Sequence, residues 1–318
     1  MHYTSLNEYC RNEYGHKLYK LALESSAGAG CPGTCPNRDG LLDTRGCIFC
    51  SAGGSGDFSD YDIETAKERV AGKLRANEDV GYIAYFQSFT GTYPGRNGLE
   101  DGTFATMRER YLAAARHPDV EIVSIATRPD CLGREVLELL EELKSVKPVW
   151  VELGLQTSNE QTASYIRRCY RNDVYRDAVR TLNGMGIKVI THLILCLPGE
   201  TEDDMAASIQ YAVDCGTWGL KLQLLHVLDG TDLGAQYKAQ LAGTPYPGVP
   251  SIMLPTMEEY IALVSRLLEH VPEDVVIHRL TGDGPKNLLL APLWTADKKR
   301  VLNAMNLLFD KTAAFGKE

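Results

Sequence analysis

Short apolar runs alternate along the chain with longer amphipathic segments, and this alternation predicts parallel βαβ units. The runs of strand length are Tyr19–Leu23, Tyr82–Phe86, Glu121–Ala126, Val149–Leu153, Val189–Leu195 and Leu220–Leu225. The segments of helix length between them are Thr65–Ala76, Thr103–Ala115, Arg134–Leu143, Val174–Met185 and Thr201–Cys215. Six such units are too few for a complete eight-stranded barrel, so we expect an α/β fold built as a partial (βα)6 TIM-like barrel.

Polar residues directly follow several of these apolar runs. They are Gln87 and Ser88, Thr127 and Arg128, Gln156 and Thr157, and His226. Barrels of this kind carry their chemistry at the carboxyl ends of the strands. The placement therefore predicts a site at that end of the barrel.

The pattern changes beyond Asp229. A Gly- and Pro-rich loop over Gly243–Pro255 precedes a predicted helix near Met257–His270, a strand at Val275–His278 and a terminal helix near Ala296–Phe309. We interpret residues 1–228 as the barrel, with its N-terminal segment and cysteine loop, and residues 229–318 as a small C-terminal extension packed on it.

The formal net charge of -9 argues against nonspecific binding to nucleic acid or to an anionic membrane, so a nucleic-acid partner would need a local basic patch. No run approaches the roughly 20 apolar residues of a membrane span. The odd number of cysteines, nine, and the polar start of the chain predict reduced thiols in the cytoplasm.

Cys35, Cys47 and Cys50 lie in one Gly-containing loop, the last two as a Cys-x-x-Cys pair. Thiolates in such a loop suit an iron–sulfur cluster, and three protein ligands on a four-iron cluster leave one iron open to a small molecule. Cys31, four residues before Cys35, allows a second interpretation, a closed structural zinc site with four thiolates. The loop follows the first strand of a large domain that needs no metal to hold it together, which favours the cluster.

Glu152, Gly154 and Gln156 share one face of the fourth strand, because side chains alternate along a strand. A carboxylate within an apolar strand is costly unless it is paired. A pair of polar side chains pointing inward at the barrel mouth could hold an ammonium group and a ribose.

Arginine and tyrosine residues are concentrated between Tyr165 and Arg180. Guanidinium groups bind phosphates and tyrosines stack on bases, which would suit nucleic acid. The alternative is a solvated helix face on which Asp173 and Asp177 offset the positive charge, and for most of these arginines we favour it.

Two further features each have a structural and a functional interpretation. The segment Leu197–Thr201 follows an apolar strand and begins a helix. It is either an ordinary turn or a backbone surface on which a flat ring can lie. His192 and His226 adjoin apolar strands, either as satisfied core residues or as site residues.

Several motifs together carry a family resemblance over nearly the whole chain. They are Cys35-Pro-Asn-Arg-Asp-Gly with Gly46-Cys-Ile-Phe-Cys50, Phe86-Gln-Ser88, Thr127-Arg-Pro-Asp130, Val151-Glu-Leu-Gly-Leu-Gln-Thr157, Leu197-Pro-Gly-Glu200, Leu225-His-Val227 and Arg279-Leu-Thr-Gly-Asp283. In these motifs the chain resembles the radical S-adenosylmethionine enzymes of the YtqA/YhcC subgroup.

That resemblance implies a [4Fe-4S] cluster held by Cys35, Cys47 and Cys50, with Cys31 uninvolved, and S-adenosylmethionine chelated by the open iron. A reductant protein of flavodoxin or ferredoxin type would supply the electron that cleaves S-adenosylmethionine to methionine and a 5′-deoxyadenosyl radical. The cofactor-binding residues implied by the match are Gln87, Ser88, Thr127, Arg128, Glu152, Gln156, Arg168, His192, Leu197, Pro198 and His226.

Two positions depart from the resembled family. Cys196 stands where glycine is common before Leu-Pro-Gly, and Cys169-Tyr170 stands where Gly-His is common. The first change is expected to narrow the surface under the adenine, and the second to alter contacts with the substrate.

Members of the YtqA branch resemble tRNA-modifying enzymes that convert a carboxymethylaminomethyl wobble uridine to its aminomethyl form, so tRNA is an expected partner. The net acidity argues mildly against it. One alternative keeps the radical chemistry with a small metabolite or a peptide as substrate. Another, from a different class, is a zinc-stapled binding protein without catalysis.

Overall fold

The computed structural model describes residues 3–25, 34–42, 45–54, 58–74, 79–282 and 284–315. Its α-helices are α1 (Leu6–Tyr14), α2 (Ile63–Ala71), α3 (Thr103–Arg116), α4 (Arg134–Val146), α5 (Glu160–Tyr165), α6 (Asn172–Gly184), α7 (Glu202–Asp214), α8 (Asp232–Leu241), α9 (Met257–Leu267) and α10 (Lys298–Phe315). Its strands are β1 (Lys17–Leu23), β2 (Val80–Phe86), β3 (Val120–Thr127), β4 (Val149–Gln156), β5 (Lys188–Leu195), β6 (Gly219–Leu224), β7 (Val227–Leu228), β8 (Val276–Arg279) and β9 (Leu289–Ala291). Across these ranges, no helix combines the length and the apolar character that crossing a membrane requires.

Seven parallel strands form the main sheet in the order β1-β2-β3-β4-β5-β6-β8. The six predicted strands are confirmed as β1 to β6. The sheet is strongly curved, because Lys20 on β1 reaches Glu152 on β4 at 3.1 Å although two strands separate them in the sheet order. The predicted partial TIM-like barrel is therefore confirmed.

The part of the chain after residue 228 also contributes to this sheet. The strand predicted at Val275–His278 is present as β8 and pairs with β6 in parallel. The N-terminal segment joins it, since the Ile277 amide donates to the Thr4 carbonyl at 2.8 Å. Both ends of the chain thus meet at the β8 edge of the barrel.

Helices pack on the outer face of the sheet through apolar stripes. On α4 the buried residues Leu139, Leu140 and Leu143 lie one turn or less apart, so they form one face. Each fully buried side chain of this size contributes about 1.5–3 kcal/mol relative to its exposed state. The start of α7 is fixed by a capping box between Thr201 and Asp204, directly after the Leu197 turn.

The inner face of the barrel is layered by the two-residue period of the strands. The layer nearest the amino ends of the strands is apolar and consists of Leu18, Ile83, Ile122, Trp150 and Ile190. The next layer is polar and takes one residue from each of the first six strands, Lys20, Tyr85, Ser124, Glu152, His192 and Lys221. The polar side chains of the barrel interior therefore begin at mid-height, above the apolar layer.

A group of rings closes the barrel at the amino ends of its strands. We call Tyr9, Trp150, Trp218 and His278 the aromatic floor, since the Trp150 and Trp218 centroids lie 4.9 Å apart and the other rings pack at 4.8 to 5.4 Å. Burial holds the pKa of His278 well below its ordinary value, so this ring is neutral. The floor leaves the carboxyl ends of the strands as the side on which a site can open.

Candidate active site

A cavity of about 1300 Å³ lies at the carboxyl ends of the strands. The three cysteines Cys35, Cys47 and Cys50 lie on its wall, as do eight of the predicted cofactor-binding residues. Those eight are Gln87, Thr127, Arg128, Glu152, Gln156, Arg168, His192 and His226. The structure thus brings most of the predicted site together in one place.

Three predicted residues lie elsewhere. Ser88 is buried, and its hydroxyl accepts a hydrogen bond from the Ser25 amide at 2.7 Å. Leu197 packs in a small apolar cluster that includes Ile48, and Pro198 is buried beside it. None of the three lines the cavity, and their contact with a cofactor stays a prediction.

The cysteine loop is held in shape by one arginine. Arg38 donates from Nη2 to the carbonyls of Cys50 at 2.9 Å and Ser51 at 2.5 Å, which ties the first half of the loop to the second. Gly46 has φ +76°, and a side chain there would begin 3.0 Å from the Arg38 Nε. The motif thus needs glycine at this position for both backbone conformation and space.

Cys47 is the most enclosed of the three thiols. Burial, with the nearby Cys50, raises the pKa of Cys47 to about 12, although Arg128 acts in the opposite direction. A buried thiol of this kind becomes a thiolate when a metal supplies the compensating charge. Three soft donors on one cavity wall therefore suit an iron–sulfur cluster.

The zinc interpretation depends on Cys31, which lies outside the described residues. Within the described part of the chain, no three His, Cys, Asp or Glu side chains converge closely enough to hold one metal ion. No disulfide joins any two of the described cysteines.

Glu152 is the centre of a buried charge cluster. It is 1% exposed, and its Oε1 accepts from Lys20 Nζ at 3.1 Å and from the Ser124 hydroxyl at 3.0 Å. Its Oε2 accepts from His192 Nε2 at 2.7 Å and also pairs with Lys221. Burial raises the pKa of Glu152, but the two lysine charges outweigh it, so the net pKa is well below the usual range.

His192 is neutral at physiological pH. Burial, together with the nearby Lys221 charge, lowers the pKa of His192 to about 4. Its Nε2 then carries the proton that is donated to Glu152, and its Nδ1 accepts from the Gln223 amide at 3.4 Å. Glu152 thereby fixes the orientation of a ring on the cavity wall.

The end of β4 is irregular where it meets the cavity. Gln156 adopts φ +67°, and the pairing register shifts between Gly154 and Gln156. A side chain at Gly154 would begin 2.6 Å from the Gln156 amide nitrogen and 3.4 Å from the Tyr170 hydroxyl. The absence of a side chain at Gly154 thus lets Gln156 and Tyr170 lie over the strand.

Arg168 lines the cavity, but its side chain is 1% exposed and its guanidinium is bound by backbone carbonyls. Its Nη1 donates to the carbonyls of Leu155 at 3.1 Å and Thr157 at 2.7 Å, and its Nε donates to the Tyr170 carbonyl at 2.9 Å. Arg128 lies on the same ring as Arg168, since both guanidinium carbons are 4.8 Å from the Tyr170 centroid. These contacts give Arg168 a role in shaping the end of β4.

The two family departures share a backbone property. Cys169 has φ +64° and Cys196 has φ +63°, in the left-handed region that favours glycine. This left-handed backbone conformation explains why glycine is common at these two positions in the resembled family. Cys196 does not line the cavity, whereas Tyr170 does.

The Arg- and Tyr-rich segment contains exposed arginines and side chains that are used structurally. Arg171 and Arg176 are exposed beside Asp173 and Asp177, as the interpretation as a solvated helix face predicts. Arg167 pairs with Asp232, and the Tyr165 hydroxyl donates to Gln236 at 2.6 Å. The Tyr175 hydroxyl is buried against Thr191 at 2.5 Å. Arg171 and Arg180 remain exposed.

The cavity wall is strongly basic. Ten of its described residues are Lys or Arg and three are Asp or Glu. The basic residues are Lys20, Arg38, Arg69, Lys73, Arg128, Arg168, Arg279, Lys286, Lys298 and Lys299, and the acidic residues are Asp60, Glu152 and Asp297. This local excess is opposite in sign to the net charge of the whole chain.

Sequence reasoning missed the wall residues Lys20 and Gln223 and the buried Lys221 beneath them. A signal for the two lysines existed, because each is a charge within an apolar strand, as Glu152 is. The basic residues after β8, such as Lys286, had no comparable signal, because only the fold brings them to the cavity.

Comparisons with known proteins agree with this geometry. Residues 44–212 match the family model of the Radical SAM superfamily, and residues 217–307 match the model of the Radical_SAM C-terminal domain. Uncharacterized protein YtqA of Bacillus subtilis is 37% identical over 308 residues, 96% of this chain and 88% of that protein. Protein YhcC of Escherichia coli K12 is 30% identical over 287 residues, 90% of this chain and 85% of that protein.

Two further similarities are more distant. A tRNA uridine(34) acetyltransferase of Dehalococcoides mccartyi is 29% identical over 254 residues, 72% of this chain and 51% of that protein. The solved structure of the archaeal Methanocaldococcus infernus Elp3 superposes with a TM-score of 0.52 at 19% identity, over 71% of this chain and 53% of that one. At this low identity, the similarity to Elp3 shows a shared fold and no more.

We expect Gly46→Ala to weaken iron binding by about tenfold, because the new side chain displaces Arg38 from the carbonyls that shape the loop. Gly15→Ala is the matched control, since Gly15 has φ +77° but open space around it. Both variants carry the same backbone strain of about 1 kcal/mol. Iron release to a chelator measures the difference, and equal release from the two variants would contradict the role of Arg38.

We expect Glu152→Gln to lower the free energy of unfolding at pH 7 by about 3 kcal/mol, because the buried Lys221 and the partly buried Lys20 lose their counter-charge. Ser124→Ala, which removes one hydrogen bond and no charge, should cost about 1 kcal/mol. Since the pKa of Glu152 is depressed in the folded state, its contribution is complete above about pH 4.3 and is lost as the pH falls below it. Urea denaturation from pH 7 down to about pH 3 measures this, and a Glu152→Gln deficit that does not shrink below about pH 4.3 would refute the assignment.

Proposed function

The chain belongs to the radical S-adenosylmethionine superfamily, and we propose that it uses the chemistry of that family to modify the wobble uridine of tRNA. It is an S-adenosylmethionine-dependent iron–sulfur enzyme, since the family uses a [4Fe-4S] cluster together with that cofactor. The proposed change converts a carboxymethylaminomethyl uridine to the aminomethyl form, which breaks the bond between the side-chain nitrogen and the carboxymethyl carbon and releases the two-carbon fragment.

In this proposal Cys35, Cys47 and Cys50 hold the cluster. When bound and reduced by a donor of flavodoxin or ferredoxin type, the cluster with S-adenosylmethionine supplies a 5′-deoxyadenosyl radical that abstracts a hydrogen atom. Arg38 keeps the loop in shape by binding the Cys50 carbonyl. A tRNA substrate and a reduced cluster both suit the cytoplasm.

The strand-end residues have two kinds of role in this proposal. The amides of Gln87 and Gln156 and the neutral ring of His192 line the cavity and bind the cofactor there. Glu152 acts as a positioning residue, because its carboxylate is already bound by His192, Ser124 and the two lysines.

The observation that carries the tRNA proposal is the basic cavity wall in a chain of net charge -9. Phosphates are attracted to such a local excess of Lys and Arg even where the whole protein is acidic. A relative named as a tRNA uridine(34) acetyltransferase covers 72% of this chain and supports the same substrate. The cavity of about 1300 Å³ exceeds the usual 300–1,000 Å³ of a pocket for one small ligand, so it has room for a cofactor and a nucleoside.

The test of catalysis is anaerobic purification followed by measurement of iron, sulfide and zinc, and of 5′-deoxyadenosine after reduction with S-adenosylmethionine. We expect iron with sulfide and cofactor cleavage, and loss of both in Cys47→Ala. In tRNA from cells that lack the protein, carboxymethylaminomethyl wobble uridine should accumulate at the expense of the aminomethyl form. Unchanged wobble uridines together with active cofactor cleavage would direct the search to a small metabolite or a peptide.

We expect tRNA affinity to fall steeply with salt, and Lys286→Gln or Lys299→Gln each to reduce the slope of log affinity against log salt by about one. Arg180→Gln is the control, because Arg180 is exposed on α6 and does not line the cavity. Equal slopes for all three variants would show that tRNA does not bind across this cavity.

A further inference from the structure

Arg279 is the last residue of β8 and points into the cavity. It pairs in register with Lys221 on β6, so it lies beside the polar layer of the barrel. Its charge reaches His192, whose pKa is lowered by burial, by Lys221 and, to a smaller extent, by Arg279.

Most other basic groups on the wall are already engaged. Lys20 binds Glu152, Arg69 pairs with Asp60 and Arg128 donates to Asp130 at 2.7 and 2.9 Å. The guanidinium of Arg279, in contrast, makes no hydrogen bond or ion pair with any residue that the structure describes. A half-buried guanidinium whose donors no described residue uses is suited to bind an anion such as a carboxylate.

The segment that follows Arg279 holds it rigidly. The Leu280 carbonyl accepts from the buried Tyr260 hydroxyl at 2.9 Å, and Thr281 is 2% exposed. A side chain at Gly282 would begin 2.6 Å from a carbon of the His226 ring, so glycine allows this segment to pack on His226. These contacts fix the backbone of the C-terminal motif beside the cavity that Arg279 lines.

We propose that Arg279 binds a carboxylate of the substrate. This inference rests on the proposed function for the identity of that carboxylate, the terminal group of the carboxymethylaminomethyl side chain on the wobble uridine. The planar guanidinium matches a carboxylate in a bidentate arrangement, and the surrounding Lys20 and Lys221 leave the layer with excess positive charge over Glu152. The aminomethyl product lacks the carboxylate and gains nothing from Arg279.

Two other anions share this chemistry, the carboxylate of S-adenosylmethionine and the tRNA phosphates. The cysteine loop follows β1 and Arg279 ends β8, and both line the same cavity, so binding measured with each carboxylate compound distinguishes the substrate from the cofactor. Phosphates are better placed at Lys286 and Lys299, which are exposed, than at the half-buried Arg279.

The test measures binding to the holoenzyme by equilibrium dialysis of 5-carboxymethylaminomethyluridine, 5-aminomethyluridine and S-adenosylmethionine. We expect the wild type to bind the carboxylate nucleoside about tenfold more tightly than the amine. Arg279→Gln should reduce this ratio to near one by weakening only the first nucleoside. Arg279→Lys, which keeps the charge and loses the planar fork, should give an intermediate ratio, and Arg180→Gln should leave the ratio unchanged.

Three outcomes would overturn the site: no preference in the wild type, equal weakening of both nucleosides by Arg279→Gln, or weakened binding of S-adenosylmethionine with the nucleoside ratio intact. Iron content and urea midpoints show whether each variant is folded. If Arg279→Gln does not fold, the nucleoside ratio of Arg279→Lys serves as the test. Failure of the proposed function is seen separately, as unchanged wobble uridines in cells that lack the protein. A ratio that still collapses in Arg279→Gln would then leave the carboxylate site standing with a different substrate.

Discussion

The ion pairs of Glu152 with Lys20 and Lys221 are the constraint on which the barrel interior depends. They join β4 to strands that are not its neighbours, and their charges are stable in the interior only when all are together. A slip of one residue in any of these strands would turn a charge outward into the apolar layer under the helices. The polar layer therefore selects a single register as well as a single curvature.

The same polar layer shows which parts of the fold could be predicted from the sequence and which could not. Alternation of apolar and polar positions predicts the strands, and the cost of a buried charge predicts that Glu152 has a partner. The sequence does not show which strands face one another across the lumen, because that depends on curvature and on β8 joining the sheet beside β6. For the same reason the basic wall could not be predicted from a chain whose net charge is -9.

The functional residues also fall into two groups, those that could be predicted from the sequence and those whose position depends on packing. The cysteine loop is predictable, because spacing within one short segment determines its chemistry. Arg168 and Leu197 show the opposite case, since both belong to matching motifs and yet are bound or packed within the protein. A motif identifies residues that must be kept together, but packing decides which of them faces the cavity and which holds another in place.

The aromatic floor has a kinetic consequence. With Trp150 and Trp218 packed against each other across the amino end of the barrel, ligands exchange through the carboxyl end, where the cysteine loop also lies. A small cofactor and a large polymer that share one entrance cannot arrive in arbitrary order, because the polymer covers the entrance once it is seated. Under the proposed function this architecture implies an order of binding, in which the cofactor enters before the polymer and its fragments leave after the polymer has withdrawn.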